Sequence, residues 1–225
     1  MALLAVETSG SGCSVAVWHS GALVAQRRVA LDRGHAAVLL PLVRDAMADA
    51  AASGLTWRDL AAVGVTVGPG SFTGIRVGLA AARGFGLALG IPVLGVTSFE
   101  AIAWGVPEAA RADGALAVVI DSGRANRFLQ AFDPQLRALA PPGAVELGAL
   151  ADALPAPPCL VAAVGPLPAA LAGGRPIVAA VPDAAMVAAL VAARRAGGGA
   201  FLPPSAFYLR PPDASPPQAG GRIRA

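Results

Sequence analysis

The chain begins with three short runs that are apolar or alternate apolar with polar: Ala2–Glu7, Cys13–Trp18 and Ala22–Val29. They are broken by Thr8-Ser9-Gly10-Ser11-Gly12 and by Ser20-Gly21. Runs of this length between turn residues predict strands joined as hairpins. The third run is more polar, which places it nearer a sheet edge. From His35 to Ala52 the spacing changes: Leu39, Leu42, Val43, Ala46, Met47 and Ala50 recur with helical period. Leu40 lies off that stripe, so this helix carries more apolar surface than one buried face requires. Pro41 lacks a backbone donor and is expected to bend it. Gly54 ends the helix, and Thr56-x-x-Asp59 has the spacing of a capping box.

A strand is predicted over Ala61–Val67. It feeds the turn Gly68-Pro69-Gly70-Ser71-Phe72-Thr73-Gly74, then a helical pattern rich in small residues, then the apolar run Ile91–Val96. Strand, glycine turn, helix and strand make a βαβ unit, which implies a parallel sheet. Gly74, Gly78, Ala82, Gly86 and Gly90 recur every four residues on one slowly rotating stripe. Each glycine weakens an isolated helix by about 0.8–1.0 kcal/mol relative to alanine. Such a helix must be held by close contact with something else. Support from two sides, by the chain's own sheet and by a partner, fits this weakness. With the resemblance described below, the stripe is read as a docking surface, so that Gly78→Leu or Ala82→Leu is expected to block pairing while the monomer stays folded. The spacing leaves open which side the glycines face.

Beyond Val96 the pattern predicts a helix over 97–103, strands over 115–120, 127–132 and 159–164, a short helix over 147–154 and a longer one over 184–195. The stretch from Pro141 is proline-rich. Arg194 and Arg195 suit the C-terminal end of the last helix dipole, and Gly197-Gly198-Gly199 ends it. The texture changes near residue 100. This divides the chain into a first lobe over 1–100, a smaller second lobe over 101–210 and a flexible tail over 211–225, with the last helix returning to pack on the first lobe.

The chain has 225 residues, and 56% are hydrophobic. The longest uncharged run, Ala153–Gly174, holds five prolines, which excludes it as a spanning helix. The start Met1-Ala2-Leu3-Leu4-Ala5-Val6 has no basic region, which argues against a signal peptide. The expectation is a cytoplasmic protein that meets no membrane. All 17 basic residues are arginine, but the net charge is only +3 and the arginines are scattered. Direct nucleic-acid binding is poorly supported. Cys13 and Cys159 lie far apart in apolar runs, as two reduced core thiols would.

No catalytic constellation is evident. The histidines, His19 and His35, form no His-x-x-x-His, and there is no Cys-x-x-Cys, so no metal site is expected. His35 is read as making a structural hydrogen bond. Asp121, in a turn after a strand, lacks an acid–base partner. Glu7 and Thr8 at the mouth of the first hairpin suit either a cap or a cation or phosphate site. The loop at Gly68 lacks the lysine of a Walker loop. Helix N-termini attract anions, which leaves Thr8, Ser9, Gly68, Gly70 and Ser71 as weak anion candidates.

Three segments together resemble the TsaB (YeaZ) family: Leu4-Ala5-Val6-Glu7-Thr8-Ser9, His-x-x-x-Leu-Leu-Pro-Leu-Val over His35–Val43, and Gly-Pro-Gly-Ser-Phe-Thr-Gly-Ile-Arg-Val-Gly over Gly68–Gly78. Ala206-Phe207-Tyr208-Leu209-Arg210 resembles the family's closing motif. The resemblance implies an α/β protein of the actin-like ATPase (ribonuclease H-like) fold, with two lobes, each a mixed sheet flanked by helices. It implies a non-catalytic partner of the paralogue TsaD, required for threonylcarbamoyl transfer to adenosine beside the anticodon of tRNAs reading codons that start with A. TsaE is implied as an accessory ATPase and threonylcarbamoyl-AMP from TsaC as the donor. tRNA would be met only through the complex, and a homodimer is implied when the chain is alone. No cofactor is required by this chain itself, with ATP or ADP a candidate at the interface of the complex.

Where the paralogue carries a His-x-x-x-His metal pair, this chain has Ser98 and Ile102. The loop Asp121–Phe128 departs from the family, with Asn126 at its acidic position, and Glu7 replaces the commoner Asp. The partner interface implied is formed by His35, Leu39, Leu42, Val43, Ala46 and Met47 of one helix and Gly74, Val77, Gly78, Ala81, Ala82 and Phe85 of the other. Two other classes stay open: an ATP-hydrolysing or phosphotransfer enzyme of the same fold, and a metallopeptidase, which the missing ligands disfavour.

Overall fold

The computed structural model describes residues 1–111 and 114–209. The tail over 211–225 and Arg210 of the closing motif lie outside the described residues. The first lobe runs β1 (Ala2–Glu7), β2 (Cys13–His19), β3 (Ala22–Val29), α1 (His35–Ala51), a single 3-10 turn at Trp57–Asp59, β4 (Leu60–Thr66), α2 (Phe72–Leu89) and β5 (Val93–Val96). The sheet order is β3-β2-β1-β4-β5. The β1–β2 and β2–β3 pairs are antiparallel, whereas β1–β4 and β4–β5 are parallel. The predicted capping box forms, with Thr56 N–H donating to Asp59 Oδ2 at 2.7 Å. Helix α1 continues through Pro41.

The second lobe repeats this plan. It comprises α3 (Ser98–Gly105), α4 (Glu108–Arg111), β6 (Ala115–Asp121), β7 (Asn126–Phe132), β8 (Gly143–Glu146), a 3-10 turn leading into α5 (Leu150–Ala153), β9 (Cys159–Val164) and β10 (Ile177–Ala179), before α6 (Ala184–Ala196). Its order is β10-β9-β6-β7-β8. The central β6 pairs antiparallel with β7 and parallel with β9, as β1 does with β2 and β4. Strands β8 and β10 are not predicted from the sequence. They are short, sit at the sheet edges and lie in proline-rich chain, so no periodicity marks them.

One face of the first sheet is covered by α1 and α2. Leu4, Val6, Val15 and Val17 pack there with Leu39, Val43, Ala46 and Met47. The other face carries Leu3, Ala5, Ala16 and Ala62 against Val187, Ala188 and Val191 of α6. Phe99 and Ile102 of α3 pack on Leu116, Val118 and Ile120 of the second sheet. Helices α3 and α6 therefore lie between the sheets, cross-linked by an ion pair from Arg194 to Glu100 at 2.6 Å. Arg194 thus faces a carboxylate on another helix as well as its own helix terminus. The chain after α6 returns along β5. Leu202 and Gly95 exchange backbone hydrogen bonds at 3.0 Å, and Phe207 N–H donates to Val67 O at 2.8 Å. These contacts cover an edge that would otherwise present free donors and acceptors.

Helix α2 settles where its glycines point. A Cβ on Gly74 would overlap the Thr8 carbonyl oxygen, and one on Gly78 would overlap Thr8 Oγ1. A Cβ on Gly86 would lie 2.5 Å from Val93 Cγ2. The stripe through Gly74, Gly78, Ala82 and Gly86 is buried against the chain's own sheet and turn. Its reading as a docking surface is corrected: the small residues let the helix approach β1 and β5. Gly90 is the left-handed C-cap (φ 67°).

The expectation that Gly78→Leu leaves a folded monomer falls with it. Gly78→Leu should instead lower unfolding stability by about 1–3 kcal/mol or more, because overpacking displaces Thr8. Gly84→Ala, where an added Cβ meets nothing within 4 Å, should raise stability by up to about 1 kcal/mol. Urea unfolding of both variants checks this, and a neutral Gly78→Leu would refute the packing.

Candidate functional site

The outer surface of the α1–α2 layer is the first candidate. Six of the predicted interface residues, His35, Leu39, Val43, Ala46, Met47 and Ala82, are at most 4% exposed. Gly74 and Gly78 are buried as well. These eight are core, because each helix turns its most regular apolar stripe toward the sheet. Leu42, Val77, Ala81 and Phe85 are half-buried beside that core. The hydrogen bond expected of His35 is not found at Nε2, which is buried without a partner.

What faces outward is a second stripe of α2: Ala80, Gly84, Leu87 and Ala88, all exposed. Leu87 is 88% exposed, and Leu40 on α1 is 57% exposed. The every-four spacing of Ala80, Gly84 and Ala88 was visible in the sequence, but the glycine-richer stripe outweighed it. Helix α2 is long and apolar enough to cross a membrane by length and composition, with mean hydropathy 1.2, and a third of it is buried in the fold.

The second candidate is a cleft of about 740 Å³ between the lobes. Ser9, Gly10 and Ser11 approach it from the first lobe, and Asp121, Ser122, Gly123 and Arg124 from the matching turn of the second. Phe72, Phe128, Phe207 and Tyr208 supply apolar walls. At its rim Phe72 stacks on Tyr208, with ring centroids 5.4 Å apart. Asp121 is not free: its Oδ1 accepts from Gly123 N–H at 2.8 Å and lies 3.2 Å from Arg127 Nη1. In the divergent loop, Ser122 Oγ donates to Asn126 at 2.6 Å.

Behind the first turn lies a buried polar network. Glu7 is 2% exposed. Its Oε1 accepts from Ser9 N–H at 2.6 Å, from Ser9 Oγ, and from Thr66 Oγ1 at 3.2 Å. Ser9 Oγ also meets Ser98 Oγ at 2.8 Å. Burial raises the Glu7 carboxyl above its ordinary range, and the donors from Ser9 and Thr66 oppose this only in part. Burial and the nearby Glu7 charge push the Cys13 thiol up to about 12, so it stays a thiol at neutral pH.

This network answers the choice left open at Glu7 and Thr8, which hold the turn. Thr8 Oγ1 donates to Gly74 O at 2.7 Å, and Ser71 N–H donates to Ser9 O at 2.7 Å. Ser71 Oγ caps Gly74 N–H, and Gly68 O accepts from Ser98 N–H. The Ser71 and Gly74 N–H groups at the helix start are thus met by the chain's own acceptors. Ser9, Gly70 and Ser71 line the cleft, whereas Thr8 and Gly68 are committed to holding the turn.

Two lobes of one repeated mixed-sheet topology, facing each other across a cleft, define the actin-like ATPase fold. YeaZ from Pseudomonas aeruginosa superposes with a TM-score of 0.77 at 25% identity, covering 92% of this chain and 99% of that one. Residues 29–145 match the family described as TsaD, tRNA N6-adenosine threonylcarbamoyltransferase. An uncharacterized protein of Mycobacterium tuberculosis is 38% identical over 162 residues, 71% of each chain. The tRNA threonylcarbamoyladenosine biosynthesis protein TsaB of Escherichia coli is 36% identical over 105 residues, 47% of this chain and 44% of that protein. The chain belongs to the TsaB (YeaZ) family.

The raised Glu7 carboxyl has a testable sign. The folded state holds this proton more tightly than the unfolded chain. Its contribution is therefore complete below the ordinary value of 4.5 and is lost as pH rises through the folded value. Glu7→Gln should flatten this part of the stability–pH curve. Urea midpoints of both proteins measured upward from pH 4.5 check it. A wild type that gains stability relative to the variant as pH rises would contradict the assignment.

Proposed function

We propose that the chain is a non-catalytic partner of a TsaD-type subunit, required for threonylcarbamoyl transfer to adenosine beside the anticodon of tRNAs reading codons that start with A. The observation that carries this reading is the outer face of α2, where the small stripe Ala80, Gly84 and Ala88 lies beside an 88% exposed Leu87. A large apolar side chain left in water next to residues that permit close helix approach fits a helix-to-helix interface. Family membership supports the pathway.

The lack of transfer chemistry is supported by two side chains. Ser98, in the place of one metal-binding histidine of the paralogue, is tied to Ser9, and Ile102, in the place of the other, is 3% exposed in the core. Neither ligates a metal. In this reading the protein works in the cytoplasm with the accessory ATPase TsaE. The donor is threonylcarbamoyl-AMP from TsaC, tRNA is met through the complex, and ATP or ADP is bound, if at all, between subunits.

The cleft favours a second reading, an ATP-using enzyme. Against it, the Ser71 and Gly74 N–H groups at the start of α2 already donate within the fold. Sustained ATP turnover by the purified chain alone would support that reading over the first.

Gly84→Leu and Leu87→Glu should each weaken pairing with TsaD by roughly tenfold or more, as loss of a central contact does. Both should reduce threonylcarbamoyladenosine formation in a reconstituted assay while leaving unfolding midpoints near wild type. Co-purification undiminished in both variants would overturn the interface.

A further inference from the structure

The cleft between the lobes carries aromatic rings that stay partly in water. Phe72 is 40% exposed and Tyr208 is 37% exposed, although they stack on each other. The Arg76 guanidinium lies 3.7 Å over the Phe72 ring, and its Nε donates to Tyr208 Oη at 3.0 Å. The two rings are thus held in place as a fixed surface. Phe128 and Phe207 line the same cleft. Three charged side chains line it as well, Asp32, Asp121 and Arg124, and two of the three are carboxylates. Asp32 is exposed, and among the described residues no ion pair includes it. An aromatic wall beside an unneutralised carboxylate suits an apolar chain that carries positive charge better than it suits a polyanion.

The chain itself supplies such a segment. Leu209 is the last described residue and lines the cleft, and residues 210–225 follow it in the sequence. Consecutive Cα atoms are about 3.8 Å apart, so this segment starts at the cleft wall. Pro211, Pro212, Pro216 and Pro217 form two proline pairs, and proline-rich segments dock in aromatic-lined grooves. Arg222 and Arg224 offer cations to the carboxylates of the lining, and Asp213 offers the opposite sign. At about 740 Å³ the cleft has the size of a pocket that encloses a drug-sized ligand, which is room for part of the segment. The covalent tether makes the encounter intramolecular, with an effective concentration on the order of mM. We propose that the proline-rich stretch 211–217 docks on the aromatic wall of the chain's own cleft, with Arg222 or Arg224 reaching Asp32. A cleft filled in this way is closed to small-molecule ligands until the segment is displaced. The proposal does not depend on the pairing of α1–α2 with another subunit.

The test uses the full chain, whose native thiols, Cys13 and Cys159, are both buried. Ala225→Cys is combined either with Ser11→Cys, at an exposed position in the cleft, or with Ser53→Cys, at an exposed position past the C-terminal end of α1. Helix α1 is about 25 Å long, and the tether from Leu209 to position 225 spans about 55 Å at full extension. Length alone therefore permits both pairs. Under mild oxidation the Ser11→Cys pair should close its intramolecular disulfide roughly tenfold faster or more than the Ser53→Cys pair. Pro216→Ser with Pro217→Ser should bring the faster rate down toward the slower one. Asp32→Arg should slow it about three- to fivefold. Equal rates for the two pairs overturn the proposal. So does a Ser11→Cys rate that the proline substitutions or Asp32→Arg leave unchanged, or a disulfide found only between two chains.

Discussion

The close approach of α2 to the first turn is the contact on which the rest of the molecule depends. Thr8 fills the space that side chains at positions 74 and 78 would need, and its hydroxyl donates to Gly74 O at 2.7 Å. Ser71 N–H reaches Ser9 O, also at 2.7 Å. Glu7 in turn fixes Ser9, and Ser9 reaches Ser98 at the head of α3. One buried carboxylate thus orders the β1 turn, the start of α2 and the start of α3. A charge in such a place is tolerable only because three donors converge on it. Even so, burial still raises its carboxyl.

That anchoring explains why a helix of weak intrinsic propensity is stable in this fold. Each glycine gives up roughly 1 kcal/mol of helix preference. What is gained is contact between backbone and turn at a distance no larger residue allows. The same contact takes up the Ser71 and Gly74 N–H groups at the start of the helix. The fold keeps the cleft of its class, with Ser9, Gly70 and Ser71 on its wall. The opposite side of α2 faces water, where Gly84 is open and Leu87 stands in solvent.

The two lobes share a topology but not a role. In the first, two long helices cover one sheet face and leave a small apolar stripe exposed on the outside. In the second, short helical turns around Leu150 and Ala172 cover the corresponding strands. The ion pair from Arg194 to Glu100 and the strand-like return at Leu202 join C-terminal chain to the first half of the sequence. The lobes are therefore tied together at their core rather than by a linker alone.

The sequence by itself determined the order and type of the long elements. Periodicity and turn chemistry are local, so β1–β3, α1, the βαβ unit and α6 were legible to within a residue or two. Its motifs also carried the family. It did not determine β8 or β10, whose few residues gain their pairing from neighbours distant in the chain. Nor could it decide the azimuth of α2. Two stripes with the same four-residue spacing, one through Gly74, Gly78 and Ala82 and one through Ala80, Gly84 and Ala88, are equally good helical faces on paper. Only the tertiary structure decided between them, because the choice depends on Thr8 and Val93, which meet the helix across the fold and leave no mark in its own period. Burial is a property of the packed whole, and so the outward face of α2 became visible only once the inward face was occupied.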